Sequence, residues 1–338
     1  MTKSASHTQV IIGLSAVIVS VQDGEPKVFI VRGAQNALAT GARSAHEDGD
    51  ALPFGPFDPE RHTTIEVGLR QWVAEQTPLK PGYVEQLYTF GNRGRYAGQR
   101  DEGARVISIG YLALTYDDQS VPHAPQSGDS AFWGDWYDFF PWEDWRQGKP
   151  KAITNVIEAG LKRWVNEGET REDKAHRRAR ADACFGLGDA EWDEEKVLER
   201  YELLYEARLV FESVRDKEIK VDYVLAPGRS MLYDHRRILA TAMGRLRGKL
   251  KYRPVVFELV PAEFTLLQLQ KTVEAIAGHP LHKQNFRRLV EGGGLVEEVA
   301  GKKSAAAGGR PAALFRFRRD VVYERPAPGV KLSPASGT

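Results

Sequence analysis

Between residues 283 and 288 the chain places Lys283, Gln284, Asn285, Arg287 and Arg288 around a single apolar residue, Phe286. Lysine and arginine neutralise phosphates, and Arg, Gln and Asn can form bidentate hydrogen bonds with base edges. Leu281, Phe286, Leu289 and Val290 can face a core at helical spacing. That leaves Lys283, Gln284 and Arg287 pointing outward, with Asn285 and Arg288 at the margin of the same face. A second basic group follows, Lys302, Lys303 and Arg310, in a small-residue stretch ending Gly308-Gly309-Arg310-Pro311. Residues 251–325 hold 13 Lys/Arg against 8 Asp/Glu, a local net of 13 − 8 = +5, whereas the whole chain is only +1. A basic module on a nearly neutral chain fits a localised nucleic-acid footprint.

The elements that must carry these residues are legible nearby. Thr265 and Gln268 form the S/T-x-x-E/Q capping box of a helix start, Leu266, Leu269, Val273 and Ile276 recur at helical spacing, and Gly278 with Pro280 ends the helix. The 283–290 segment is then a second helix. Residues 294–299 and 312–318 read as a hairpin whose loop holds the second basic group. Helix, helix and basic wing make a winged helix-turn-helix. A small helical domain with a solvated charged face is the plainer alternative.

At 338 residues, 42% hydrophobic and 28% charged, the chain has room for two or three domains. No apolar run approaches the ~20 residues that span a bilayer, and Met1–His7 lacks the apolar centre of a secretion signal. Cys184 is the one cysteine, which excludes an internal disulfide and any multi-cysteine metal site. The expected location is the cytoplasm, with no membrane association.

In the N-terminal half, residues 10–19 and 27–32 are β-branched and apolar on either side of Asp23-Gly24, a hairpin signal. Residues 35–51 read as a loop. Thr63 and Glu66 offer a capping box to a helix with Ile65, Leu69, Trp72, Val73 and Gln76 on one face. Strands at 83–90 and 106–114 flank a loop with Arg93, Arg95, Arg100 and Arg105. Residues 132–145 hold four of the seven tryptophans, a composition that suits a core or interface better than a stacking platform. Residues 153–164 form one amphipathic helical pattern. Val197, Leu198, Tyr201, Leu204, Tyr205, Arg208 and Phe211 form another, and 169–180 is a solvated charge run between them. His235 reads as a packing residue at a helix start, since no metal-ligand spacing links it to His279 or His282.

The order strand, Leu52-Pro53-x-Gly55, helix, Glu75-Gln76-Thr77-x-Leu79, strand resembles the Nudix domain. Taken with Gly82–Phe90, Tyr233–Leu239, Arg245–Leu250, Phe264–Gln270 and Asn285–Arg288, the chain resembles the NrtR-type regulators, in which a Nudix-like sensor precedes a C-terminal winged helix. The implied fold class is α+β: a Nudix-like α/β/α sensor domain with a helical insertion, then a winged helix-turn-helix domain. Its expected boundaries are a sensor at 8–147 closed by a linking helix at 230–250, a mainly helical insertion at 148–228, a DNA-binding domain at 251–325, and a flexible tail at 326–338. The insertion is a departure, because family chains pass quickly from the last sensor strand to the helix near Asp234.

The resemblance implies a ligand-responsive repressor of NAD-metabolism genes that senses ADP-ribose or a related nucleotide and binds palindromic operators as a homodimer, associated with the nucleoid. Against the Nudix motif, Gln71 and Trp72 stand where Arg-Glu belongs, Gln76 replaces one glutamate, Thr63 replaces another, and only Glu75 remains acidic. Magnesium needs carboxylate oxygens in near-octahedral array, so no hydrolase activity, metal or cofactor is expected. A bound diphosphate needs guanidinium or backbone donors, of which bidentate arginine is the strong option, and Arg32, Arg93, Arg95, Arg100 and Arg105, with Glu75, are the candidate ligand contacts. Lys283, Gln284, Asn285, Arg287, Arg288, Lys302, Lys303 and Arg310 are the candidate DNA contacts. Two other functions fit the same residues, an active Nudix hydrolase of a nucleoside diphosphate derivative and a sugar-sensing regulator.

Overall fold

In chain order the strands are β1 (Val10–Gln22), β2 (Glu25–Arg32), β3 (Asp50–Ala51), β4 (Phe54–Pro56), β5 (Tyr83–Phe90), β6 (Arg105–Leu114) and β7 (Ser130–Asp135). The computed structural model describes residues 10–32, 49–77, 79, 81–92, 105–116, 130–304, 311–324 and 329–330. Asp23 and Gly24 both take positive φ (53° and 79°), which a two-residue type I′ turn requires, and they join β1 to β2 with Val19 opposite Val28. β6 lies parallel to β1 from Val10↔Arg105 to Val19↔Leu114, and its near-continuous apolar sequence matches burial on both faces. β5 and β7 extend the sheet on either side, against β6 and β2.

The pleat sorts β1 between two cores, because alternate side chains point to opposite faces. Leu14, Ala16 and Ile18 pack with Leu69 and Val73 of the helix α1 (Ile65–Gln76). Val17 and Val19 join a second core that runs without a break beyond the sheet. It takes in Trp136 and Phe139 of the short helix α2 (Trp136–Phe139), together with Phe140 and Trp142, all fully buried, so the aromatic run is core.

The same core continues through a run of helices: α3 (Glu158–Asn166, entered by a π-helical turn Ile153–Ile157), α4 (Arg171–Phe185), α5 (Val197–Glu206) and α6 (Phe211–Asp216). It includes Ile238 and Leu239 of the long helix α7 (His235–Leu250) and reaches Leu269 and Val273 of α8 (Leu266–Ala277). After α8 come α9 (Lys283–Gly292), β8 (Val296–Lys303), β9 (Ala313–Phe317) and a terminal turn of helix.

Three sequence expectations need correction. The cap of α1 is Thr64, whose side chain accepts from the Val67 amide at 3.2 Å; Glu66 pairs instead with Arg70 at 2.9 Å, so the Thr63–Glu66 box does not form. The 169–180 charge run belongs to a helix, α4, capped by Thr170 and ended by Gly186 in the left-handed region (φ 60°). Only Ala181 and Phe185 of α4 are buried, so it has almost no apolar stripe to announce it. Phe211 is 49% exposed and starts a separate helix, because Arg208 breaks the chain direction with φ 58°.

Candidate nucleic-acid interface and sensor site

The basic face is held by local hydrogen bonds. Thr265 Oγ1 accepts from the Gln268 amide (3.1 Å) and Gln268 Oε1 accepts from the Thr265 amide (2.8 Å), completing the capping box at the start of α8. Gly278 ends α8 with φ +78°. The turn into α9 is fixed from α8. Gln270 Nε2 donates to the Leu281 carbonyl at 3.1 Å, and the Leu281 amide donates to Glu274 Oε1 at 2.8 Å. On α9, Phe286 and Val290 are buried, while Lys283, Gln284, Asn285, Arg287 and Arg288 are all exposed. No acidic side chain among the described residues pairs with Lys283, Arg287 or Arg288.

Behind α9, the Phe264 and Phe315 backbones exchange hydrogen bonds (2.9 and 2.8 Å), tying the entry to α8 onto the β8–β9 hairpin. Lys303 is exposed on the hairpin, whereas Lys302 pairs with Glu263 at 2.6 Å. Arg310 lies outside the described residues.

In the N-terminal sheet domain, polar side chains of α1 fasten the loop that precedes it. Gln76 Nε2 donates to the Phe54 carbonyl (2.6 Å) while its Oε1 accepts from the Phe54 amide (3.0 Å). An amide can donate and accept at once, and an ionised carboxylate can only accept. Trp72 Nε1 donates to the Pro56 carbonyl at 2.9 Å, and its indole lies over Gly55, where an added Cβ would come within 2.1 Å. Together they strap the 53–57 loop to α1. Glu75 is exposed and accepts from Gln71 Nε2 at 2.7 Å. Among the described residues no three His, Cys, Asp or Glu converge as a metal site.

The predicted arginine set is only partly placed. Arg32 is engaged internally, pairing with Asp50 at 2.8 Å and lying 4.9 Å from the Phe132 ring centre; Asp50 also takes Arg229. Arg105 is exposed and donates to the Gly91 carbonyl at 2.8 Å. Arg93, Arg95 and Arg100 lie outside the described residues.

Two polar groups on the α1 side of the sheet escaped sequence reasoning. Tyr111 donates to Gln86 Oε1 at 3.3 Å, and burial, with the Glu66 carboxylate adding to it, raises its phenol above the ordinary range. One tyrosine, the single aromatic residue of β6, was the available signal. A cleft of about 520 Å³ opens elsewhere, between the β1–β2 turn and α8, lined in part by Asp23, Tyr116, Lys271 and Thr272.

His235 is no catalytic base. Its Nδ1 accepts from the Leu52 amide (3.1 Å), which puts the ring proton on Nε2, 3.4 Å from Ser15 Oγ. Burial pushes its pKa down to about 3.

Residues 256–317, which contain α8, α9 and both hairpin strands, match the NrtR DNA-binding winged helix domain. The structure of Shewanella oneidensis NrtR complexed with a 27mer DNA aligns over 92% of this chain and 95% of that one, with a TM-score of 0.52 and 20% identity. The two chains share a fold. A second structure of Shewanella NrtR aligns over the same shares at a TM-score of 0.51. The ADPR-responsive transcriptional repressor NtrR of Acinetobacter baylyi is 42% identical over 87 residues, 26% of this chain. That match spans about a third (34%) of the Acinetobacter protein. Since 87 residues are 34% of it, that relative is about 256 residues long against 338 here.

Proposed function

We propose that the protein is a ligand-responsive DNA-binding transcriptional repressor, acting as a homodimer on a palindromic operator. In this reading residues 8–147 sense the effector, 251–325 read DNA, 148–228 are an insertion and 326–338 a tail. The observation that carries it is the exposed cationic face of α9, without acidic partners among the described residues, inside a domain matched to DNA-binding winged helices. Free cations on a structured helix attract phosphate and release counterions, so affinity falls steeply with salt. Lys283, Gln284, Asn285, Arg287 and Arg288 contact the duplex, and Lys303 and Arg310 extend the contact along the wing. Lys302 contributes less because Glu263 already neutralises it.

The effector is ADP-ribose or a related nucleotide, in keeping with the name of the Acinetobacter relative, and the regulated genes belong to NAD metabolism. Arg105 and the 93–100 arginines supply its phosphate contacts. The sensor does not hydrolyse the effector. The Gln76 strap supports that part of the reading, since it occupies a ligand position of the Nudix helix with an amide bonded to backbone. Magnesium-dependent turnover of ADP-ribose would overturn it.

The test selects duplexes from a random-sequence pool and measures their affinity with and without ADP-ribose. A useful switch needs a coupling of ~1–3 kcal/mol between effector and DNA. Equal affinities would remove the sensor role, and failure to select any sequence would remove the reader role.

A further inference from the structure

The last carbonyls of a helix have no partner within it. In α8, the first helix of the DNA-reading pair, they are taken by groups from the rest of the chain. Tyr137 Oη donates to the Ala275 carbonyl at 2.8 Å, Arg247 Nε to Ile276 at 3.0 Å, and the Trp145 amide to Gly278 at 2.7 Å. Gly278 fits there because it has no side chain. An added Cβ would lie 2.6 Å from the Glu143 carbonyl oxygen and 2.8 Å from Tyr137 Oη.

Two of these three donors are themselves positioned by the insertion. Arg247 donates to Glu143 Oε2 at 2.7 Å, and Glu143 also receives Arg200, from α5, through two bonds of 2.6 and 2.7 Å. All three side chains are buried. Burial alone would raise the Glu143 carboxyl, but the two guanidiniums outweigh it and hold it below the ordinary carboxylate range. The second route is aromatic. Arg200 stacks on Trp192 at 3.8 Å, and Trp192 packs against Trp145 with ring centres 4.5 Å apart. Trp145 then holds Gly278.

A buried ion cluster is a poor way to gain stability, because apolar side chains of equal volume do as well or better. What two planar guanidiniums on one carboxylate supply is direction. We propose that the 148–228 insertion is a brace that sets the orientation of the DNA-reading helices on the sensor, acting through Arg200 on Glu143 and Arg247 and through Trp192 on Trp145. Arg200 and Trp192 are positioning residues, and neither touches DNA. The consequence for operator binding rests on the function proposed above, whereas the geometry of the brace does not.

The experiment uses the full chain with Cys184→Ser and spin labels at Val67→Cys on the sensor and Leu267→Cys on the reader, positions that are 45% and 55% exposed. Arg200→Met leaves Glu143 and Arg247 as a one-to-one pair, so it strands no buried charge. Trp192→Ala cuts the second route and serves if Arg200→Met does not fold. The parent should give a narrow label-to-label distance distribution. Each variant should broaden it, weaken binding to a duplex selected from the random pool by about tenfold, and reduce the ADP-ribose response. Arg178→Ala, an exposed insertion variant, should change none of these. Unchanged widths in both positioning variants overturn the brace, and a broadened distribution with unchanged operator affinity overturns its consequence for DNA binding. If the parent selects no duplex, the repressor reading fails while the distance widths still decide the geometry.

Discussion

Helices α7 and α9 are both rich in arginine and lysine, and the fold treats their charges in opposite ways. On α7, Arg236 pairs with Glu212 (2.9 Å), Arg237 with Asp234 (3.1 Å), Arg247 with Glu143 (2.7 Å) and Lys249 with Glu85 (2.9 Å). Arg236 and Arg247 are also fully buried. On α9 the cations are exposed and have no acidic partner among the described residues. The same residue types therefore fasten neighbouring elements in one helix and stay exposed in the other. A count of positive charges cannot separate these uses, but burial and pairing can.

The sharpest way to break the contrast is Glu143→Gln, which leaves the Arg200 and Arg247 guanidiniums buried without their carboxylate. Urea unfolding should show a loss of about 3–5 kcal/mol. A loss below about 1 kcal/mol would mean the paired charges of α7 do not depend on one another. On the other side, Arg287→Ala should cost about 1–3 kcal/mol of operator affinity, relax base preference and reduce the salt slope. Its unfolding free energy should stay within about 0.5 kcal/mol of the parent, as expected at an exposed site. If stability falls with affinity, α9 is not a free surface.

A pH titration extends the comparison to His235, which begins α7 neutral and buried with its pKa lowered to about 3 from 6.5. The unfolded chain takes up the proton first, so stability is full above pH 6.5 and falls as pH drops toward 3. Between pH 7 and pH 5 the loss from this residue is about 2 kcal/mol. A His235→Gln variant should lose that slope; if the slope persists, it belongs to other groups. The smallest effect should come from Arg316→Ala, which removes an exposed pair with Glu297. Denaturation should register at most ~1 kcal/mol.

Much of the reader was legible because its signals are local. The Thr265–Gln268 box and the Gly278 stop act within a few residues, and the apolar spacing of 281–290 predicts which side of α9 faces out. The sensor was legible as an order of strands and one helix. The start of α1 was displaced by one residue because Thr63 and Thr64 are adjacent and equally able to cap. What could not be read was long-range pairing. Glu143 finds Arg200 and Arg247 at separations of 57 and 104 residues, and Arg32 meets Asp50 across 18 residues. The replacement of a glutamate by Gln76 was visible as a lost acid, but its strap onto Phe54, 22 residues away, was not. α4 lacked the apolar period that reveals a helix.

The division of β1 between two cores has a mechanical consequence. Leu14, Ala16 and Ile18 face the α1 side, while Val17 and Val19 face the core that continues to α8. Between Ala16 and Val17, or Ile18 and Val19, the separation of the two compartments is a single peptide unit. A stiff strand cannot shift its even-numbered side chains and leave the odd ones behind. A tilt of β1 that moves one set of side chains therefore moves the other set as well.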